Sequence, residues 1–216
     1  MEKIEINSHE LRNRICAAPE VNKFDFEDVT PDDLKSVRSL FLPGTKFNGE
    51  PTDVRLAELG AVSNLEELTL NSFVIDDRIN SILAMLPSLR VLKFTNCDFK
   101  DCTEIKTSKP LDVFCMNLGE NIEGRSFPRA SKVVINNASV SFDSIKWDDV
   151  KVARFEDCVL HGVSSLEEKD GIEEIEVIGT TLVGEKDESG VEEKIDDIKV
   201  SPKTQFVVEE KDEELR

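Results

Sequence analysis

The residues whose types could support catalysis are few in this 216-residue chain, and none of them is spaced for it. The two histidines, His9 and His161, are separated by 152 positions. A general base needs its proton acceptor within hydrogen-bond reach of the reacting group, and neither histidine has a nucleophile or an orienting carboxylate close by in sequence. The acidic pairs Asp148-Asp149 and Glu173-Glu174 are adjacent. On a strand, adjacent side chains point to opposite faces, so these pairs cannot share a proton or a substrate. Cys16, Cys97, Cys102, Cys115 and Cys158 contain no CxxC pair, and no GxGxxG, phosphate-binding glycine loop, GxSxG or HExxH occurs. The residues point away from an enzyme and predict no metal, no cofactor and reduced, mostly buried thiols.

Charge narrows the partners. With 45 acidic against 27 basic residues the formal net charge is −18. Such a chain repels phosphate backbones and anionic headgroups, which argues against nucleic acid and membrane surfaces. No apolar run is long enough to span a bilayer and the N-terminus has no signal-like apolar core, so the expectation is an intracellular protein, cytoplasmic or nuclear, monomeric on its own.

What could position functional groups is a recurring apolar frame. Residues 65 to 75 carry Leu65, Leu68, Leu70, Phe73 and Ile75, and residues 89 to 99 carry Leu89, Leu92, Phe94, Cys97 and Phe99. The shared frame, L-x-x-L-x-L-x-x-(N/C)-x-L, recurs in full from Val37, Ala130, Val150 and Ile172 and more weakly from Val21, Leu111 and Ile195. Consecutive starts are 16 to 28 residues apart. Positions four and six point to one side of a strand and positions three and five to the other, so one side becomes core and the other is free for contacts. A lone unit buries too few side chains to offset ordering some twenty residues, so neighbours must stack.

On this frame the chain resembles the leucine-rich repeat superfamily. The resemblance implies an α/β fold: a right-handed solenoid with a concave parallel β-sheet, helices or short turns on the convex side, and about eight or nine repeats over residues 21–204. Residues 1–20 read as an N-terminal capping helix, with Ser8 as N-cap and Leu11, Ile15 and Ala18 on one face. Residues 205–216 read as a C-terminal cap and acidic tail. Further helices are predicted after Thr52-Asp53 and after Asp76-Asp77, with only short turns in later returns such as the one carrying Trp147, which is expected to pack. Cys97 and Cys158 fall at frame position nine, where the resemblance implies a buried structural residue.

Positions three and five of the central repeats bring together Val91, Lys93, Val113, Cys115, Lys132, Val134, Val152 and Arg154, an apolar and basic patch in an acidic chain. Contiguous exposed apolar surface marks contact sites. Valine's preference for strands accounts for the same residues without function. The resemblance implies a non-enzymatic adaptor that grips a protein segment on its concave face, the three cations meeting an acidic one. The alternative is an acidic chaperone-like or regulatory protein holding basic clients such as histones.

Overall fold

The computed structural model describes residues 6–23, 29–46, 48–106, 109–118, 122–127, 129–147, 150–162, 172–185, 199–200 and 205–209. In chain order the elements begin with helices α1 (His9–Cys16) and α2 (Pro31–Ser36), strand β1 (Ser39–Pro43) and a 3₁₀ helix at Leu56–Ala61. Strands β2 (Glu67–Asn71) and β3 (Val74–Ile75), helix α3 (Arg78–Ala84), and strands β4 (Val91–Thr95) and β5 (Asp98–Phe99) follow. Then come β6 (Leu111–Met116), β7 (Ala130–Asn136), β8 (Ser139–Ser141), β9 (Val152–Glu156) and β10 (Val159–His161). The last are β11 (Glu174–Ile178), β12 (Thr181–Glu185), β13 (Lys199–Val200) and β14 (Gln205–Glu209).

These strands build a parallel β-solenoid. Its main sheet has eight strands in the order β1-β2-β4-β6-β7-β9-β11-β13, so each frame segment pairs with the next one along the chain. The two segments with the clearest frames lie side by side, Leu68 opposite Leu92 and Leu70 opposite Phe94. Position six continues as a stack from Phe94 to Cys115, Ile135, Phe155 and Val177, all buried. Helices are few because most of each return is strand or irregular chain.

Strands β2, β4, β6, β7, β9 and β11 each end at a corner whose first residue has left-handed backbone: Ser72 (φ 58°), Asn96 (50°), Asn117 (55°), Asn137 (52°), Asp157 (51°) and Gly179 (61°). Asn, Asp and Gly tolerate this region best, which explains their recurrence there. The corner N–H groups donate to the last carbonyl of the following strand, as from Asn96 to Met116 and Asn137 to Glu156, both at 3.0 Å. Asn96 Nδ2 reaches Asn71 Oδ1 at 3.1 Å, and Asn137 Nδ2 reaches Asn117 Oδ1 at 2.7 Å. The next residue turns inward. There Cys97 and Cys158 donate their thiol hydrogens to the Leu70 and Ile135 carbonyls at 3.3 and 3.4 Å, and the Thr180 hydroxyl lies 3.2 Å from the Phe155 carbonyl. Burial pushes both thiols above the usual thiol pKa, so these cysteines are structural donors and poor nucleophiles.

Beyond the corner a second parallel sheet forms, β14-β12-β10-β8, with a two-stranded counterpart, β3-β5, in the earlier repeats. The sequence frame does not announce it, since only one inward residue per strand, such as Val140, Leu160 or Leu182, carries the pattern. Trp147 packs as expected: it is buried, stacks on Phe142 at 4.9 Å, and donates its indole N–H to the Phe142 carbonyl at 2.9 Å.

Helix α1 starts where predicted. Ser8 Oγ accepts from the Leu11 N–H at 3.1 Å, and Leu11, Ile15 and Ala18 are buried. The helix predicted after Thr52-Asp53 is instead the 3₁₀ turn, because Asp53 is engaged elsewhere: its carboxylate accepts the His9 and Glu10 N–H groups of α1 at 2.6 and 2.9 Å. Glu58 accepts the Ser8 N–H at 3.0 Å. Helix α2 was not anticipated, although Thr30-Pro31-Asp32-Asp33 carries its signature, a capping box with proline in the first turn. The weak repeat from Val21 rests on Phe24 and Phe26, the one from Ile195 on Ile195 and Ile198, and the acidic tail on residues 210–216, all outside the described residues.

The Glu10 N–H foremost, and then the His9 N–H against a small burial penalty, hold the Asp53 carboxyl below the usual carboxylate range. A lowered folded-state pKa contributes stability that is present above the unfolded value of about 3.9 and is lost as pH falls through the folded value. Asp53→Asn is expected to lower stability by about 0.5–1 kcal/mol, the low end for a capping carboxylate because the group faces solvent. Melting curves of the two proteins should differ at pH 7 and converge below about pH 4.

Candidate interaction surface

The outward face of the main sheet is read directly from strand register. Its middle column runs Phe41, Thr69, Lys93, Phe114, Val134, Arg154, Glu176, Lys199. On one side of it lie Val91, Asp112, Lys132 and Val152, and on the other Thr95, Met116, Asn136 and Glu156. Val91, Lys93, Lys132, Val134, Val152 and Arg154 therefore all lie on this face, as expected.

Val113 and Cys115 do not. Both are buried in the core, opposite Leu92 and Phe94 on one neighbour and Val133 and Ile135 on the other. The correction comes from one residue. Leu111 pairs with Ala130, both inward, but β7 holds an extra residue, Ser131, before Lys132 meets Asp112. This bulge lets the repeat at Leu111 run one residue short, so a frame with fixed spacing lands on Phe114 and Met116. Ser131 Oγ fastens the bulge, donating within reach of the Leu111 carbonyl (3.1 Å) and Asp112 Oδ1 (2.8 Å). The same shift makes Asn117 a corner residue and puts Met116 in the column beside Thr95 and Asn136.

The corrected face carries Asp112 where Val113 was expected and Phe114 where Cys115 was, with Met116 in the column beyond. Val134 is 4% exposed yet lies outside the core cluster, so the side chains covering it belong to this outward face. Its column neighbours are Phe114 and Arg154.

The cations are already engaged. Lys93 Nζ is 2.7 Å from Glu67 Oε1 and 5.6 Å from the Phe114 ring centre. Lys132 lies 3.7 Å from Glu176, and Arg154 bonds Glu156 and reaches Glu176 at 3.2 Å. Burial opposes the Arg154 charge, but the hydrogen bonds and charges of Glu156, and then of Glu176, raise its pKa above the usual value. At the entry end of these strands an open recess of about 510 Å³ is lined by Glu66, Glu67, Arg90, Val91 and Asp112 among others.

The potential catalytic groups stay apart. His9 sits on α1 and pairs with Asn13 at 3.2 Å, while His161 sits on β10, 3.4 Å from Ser139 Oγ. Glu173 meets Lys151 at 2.9 Å. Among the described residues no three His, Cys, Asp or Glu side chains are grouped to hold a metal, and no helix is long and apolar enough to cross a membrane. No protein-family model matches the chain, and no curated protein matches it.

Proposed function

We propose that the protein is a non-enzymatic interaction module of the leucine-rich repeat type, binding a protein segment on the outward face of its main sheet. The observation that carries this reading is that Phe114, Met116, Val134, Val91 and Val152 lie on neighbouring strands on the side of the main sheet facing away from the core. The core lies on the other side of the same strands, so core packing does not account for the aromatic and thioether side chains of Phe114 and Met116 there. The residues beneath the corners, Cys97, Cys158 and Thr180, support the repeat type, since each bonds a carbonyl of the preceding strand.

The test is affinity purification from the native source with wild type, a Phe114→Glu/Met116→Glu variant, and Lys146→Glu on an exposed return. Wild type and Lys146→Glu are expected to recover the same partner, and the double variant to lose it by tenfold or more with little change in melting, as for a central apolar anchor worth about 2 kcal/mol or more. Equal recovery by the double variant would move the contact elsewhere. The return-side recess of about 490 Å³ beside Val74, Ile79, Ile82 and Met85 would then be the next surface to probe.

A further inference from the structure

Resting on that reading, we infer that the segment this face takes is cationic around an apolar anchor, the opposite charge class from the one its three basic residues suggest in sequence. The argument is electrostatic. Lys93, Lys132 and Arg154 are each held by a carboxylate of the protein itself. An acidic segment would meet cations whose charge Glu67, Glu156 and Glu176 already offset, so it would gain less from them than from unpaired ones.

By register the same face carries five carboxylates, Glu67, Asp112, Glu156, Glu174 and Glu176, against those three cations and Lys199 of β13, a net charge of −1. It belongs to a chain of net charge −18, so an anionic segment is also repelled during approach, while a cationic one is drawn in. The carboxylates at the Arg154 end retain acceptor capacity. Each ionised carboxylate offers about four lone-pair sites, and Glu176 already serves two cations at 3.2 and 3.7 Å, leaving room for a shorter bond. Phe114 and Val134 lie beside that end, and the Phe114 ring already faces a cation on its Lys93 side. A lysine or arginine flanking an aromatic or aliphatic side chain would set its apolar group on Phe114, Val134 and Met116 and its charge at Glu156 and Glu176.

Fluorescence anisotropy with synthetic peptides tests this. The probes are a short peptide of lysines around a central phenylalanine, its counterpart with glutamates, and the lysine peptide lacking phenylalanine. The lysine–phenylalanine peptide is expected to bind wild type, with affinity falling steeply as salt rises from about 0.05 to 0.5 M. Glu156→Gln/Glu176→Gln should weaken it about tenfold, as expected for close charge pairs at an interface. Phe114→Ser/Met116→Ser should weaken it by a similar factor and leave it no better than the lysine peptide without phenylalanine.

Absence of binding by the lysine–phenylalanine peptide would overturn the inference. So would equal binding to the Phe114→Ser/Met116→Ser protein, which would mean attraction to net charge alone. Preferential binding of the glutamate peptide, lost on Phe114→Ser/Met116→Ser, would overturn the charge class while leaving the face as the binding surface. Loss of the face itself is read separately, from partner recovery with Phe114→Glu/Met116→Glu.

Discussion

Cys115→Asp is expected to unfold the protein, and Phe114→Asp, one residue away, is expected to leave it folded. Cysteine and aspartate are close in size, so the substitution at 115 changes polarity far more than volume. Cys115 is fully buried between Phe94 and Ile135, and among the described residues burial and the Cys97 thiol are what act on it electrostatically, not a cation that could receive a carboxylate. Burial already pushes its thiol strongly toward the neutral form, and a buried, unpaired charge costs about 3–5 kcal/mol or more. That rivals the whole stability of an ordinary domain, about 5–15 kcal/mol. Phe114 is half-buried on the outward face, where an aspartate can be hydrated and lies near Lys93. Its loss should cost no more than about 1–2 kcal/mol. Circular dichroism melts of the two variants decide the matter. The reverse pattern would mean that β6 keeps the uninterrupted frame and that the bulge at Ser131 is wrong.

Phe155→Ala is expected to cost about 3–5 kcal/mol, the usual range for emptying a buried aromatic site. Phe155 is fully buried and sits at the centre of an aromatic group, 5.9 Å from Trp147 and 6.1 Å from Phe142. Its backbone carbonyl also lies 3.2 Å from the Thr180 hydroxyl of the next corner. Repeats in a solenoid are stabilised chiefly by their neighbours, so a cavity here weakens the stacking of β7, β9 and β11 together. Trp147 is the sole tryptophan and lies against this site, which makes its fluorescence the direct probe. The expected result is a lower denaturant midpoint with a red-shifted native spectrum. Phe41→Ala, at an outward position that is 48% exposed, should change stability by no more than about 0.5 kcal/mol. Equal effects from the two substitutions would contradict the stacked core.

The repeating architecture was legible in the sequence because its signal is local. Leu68, Leu70, Leu92, Phe94, Ile135 and Phe155 announce their inward direction through spacing alone, and all are buried in the structure. The start of α1 was legible for the same reason: Ser8 and the apolar face behind it are neighbours in sequence. The patch was legible only in part. Between Leu111 and Met116 apolar residues occupy both phases of the strand, Leu111, Val113 and Cys115 on one and Phe114 and Met116 on the other. Period-two alternation cannot choose between two apolar phases, and the larger side chains favour the wrong one. Stacking decides it, because Phe94 and Ile135 leave room for Cys115 between them and the bulge at Ser131 supplies the shift.

Tertiary structure likewise decided the charges on the face. Lys93 and Glu67 are 26 positions apart, as far as one repeat is long, and Lys132 and Glu176 are two repeats apart. Single-strand patterning shows the cations without their partners. The same holds for Asp53, whose sequence context suggests a cap for the helix that follows it and whose carboxylate instead holds the start of α1, more than 40 residues earlier. Direction along a strand is set by residues next to one another. Register, bulges and charge pairing are set by what the neighbouring rung places opposite, and this chain's own sequence carries that information only once the rungs are stacked.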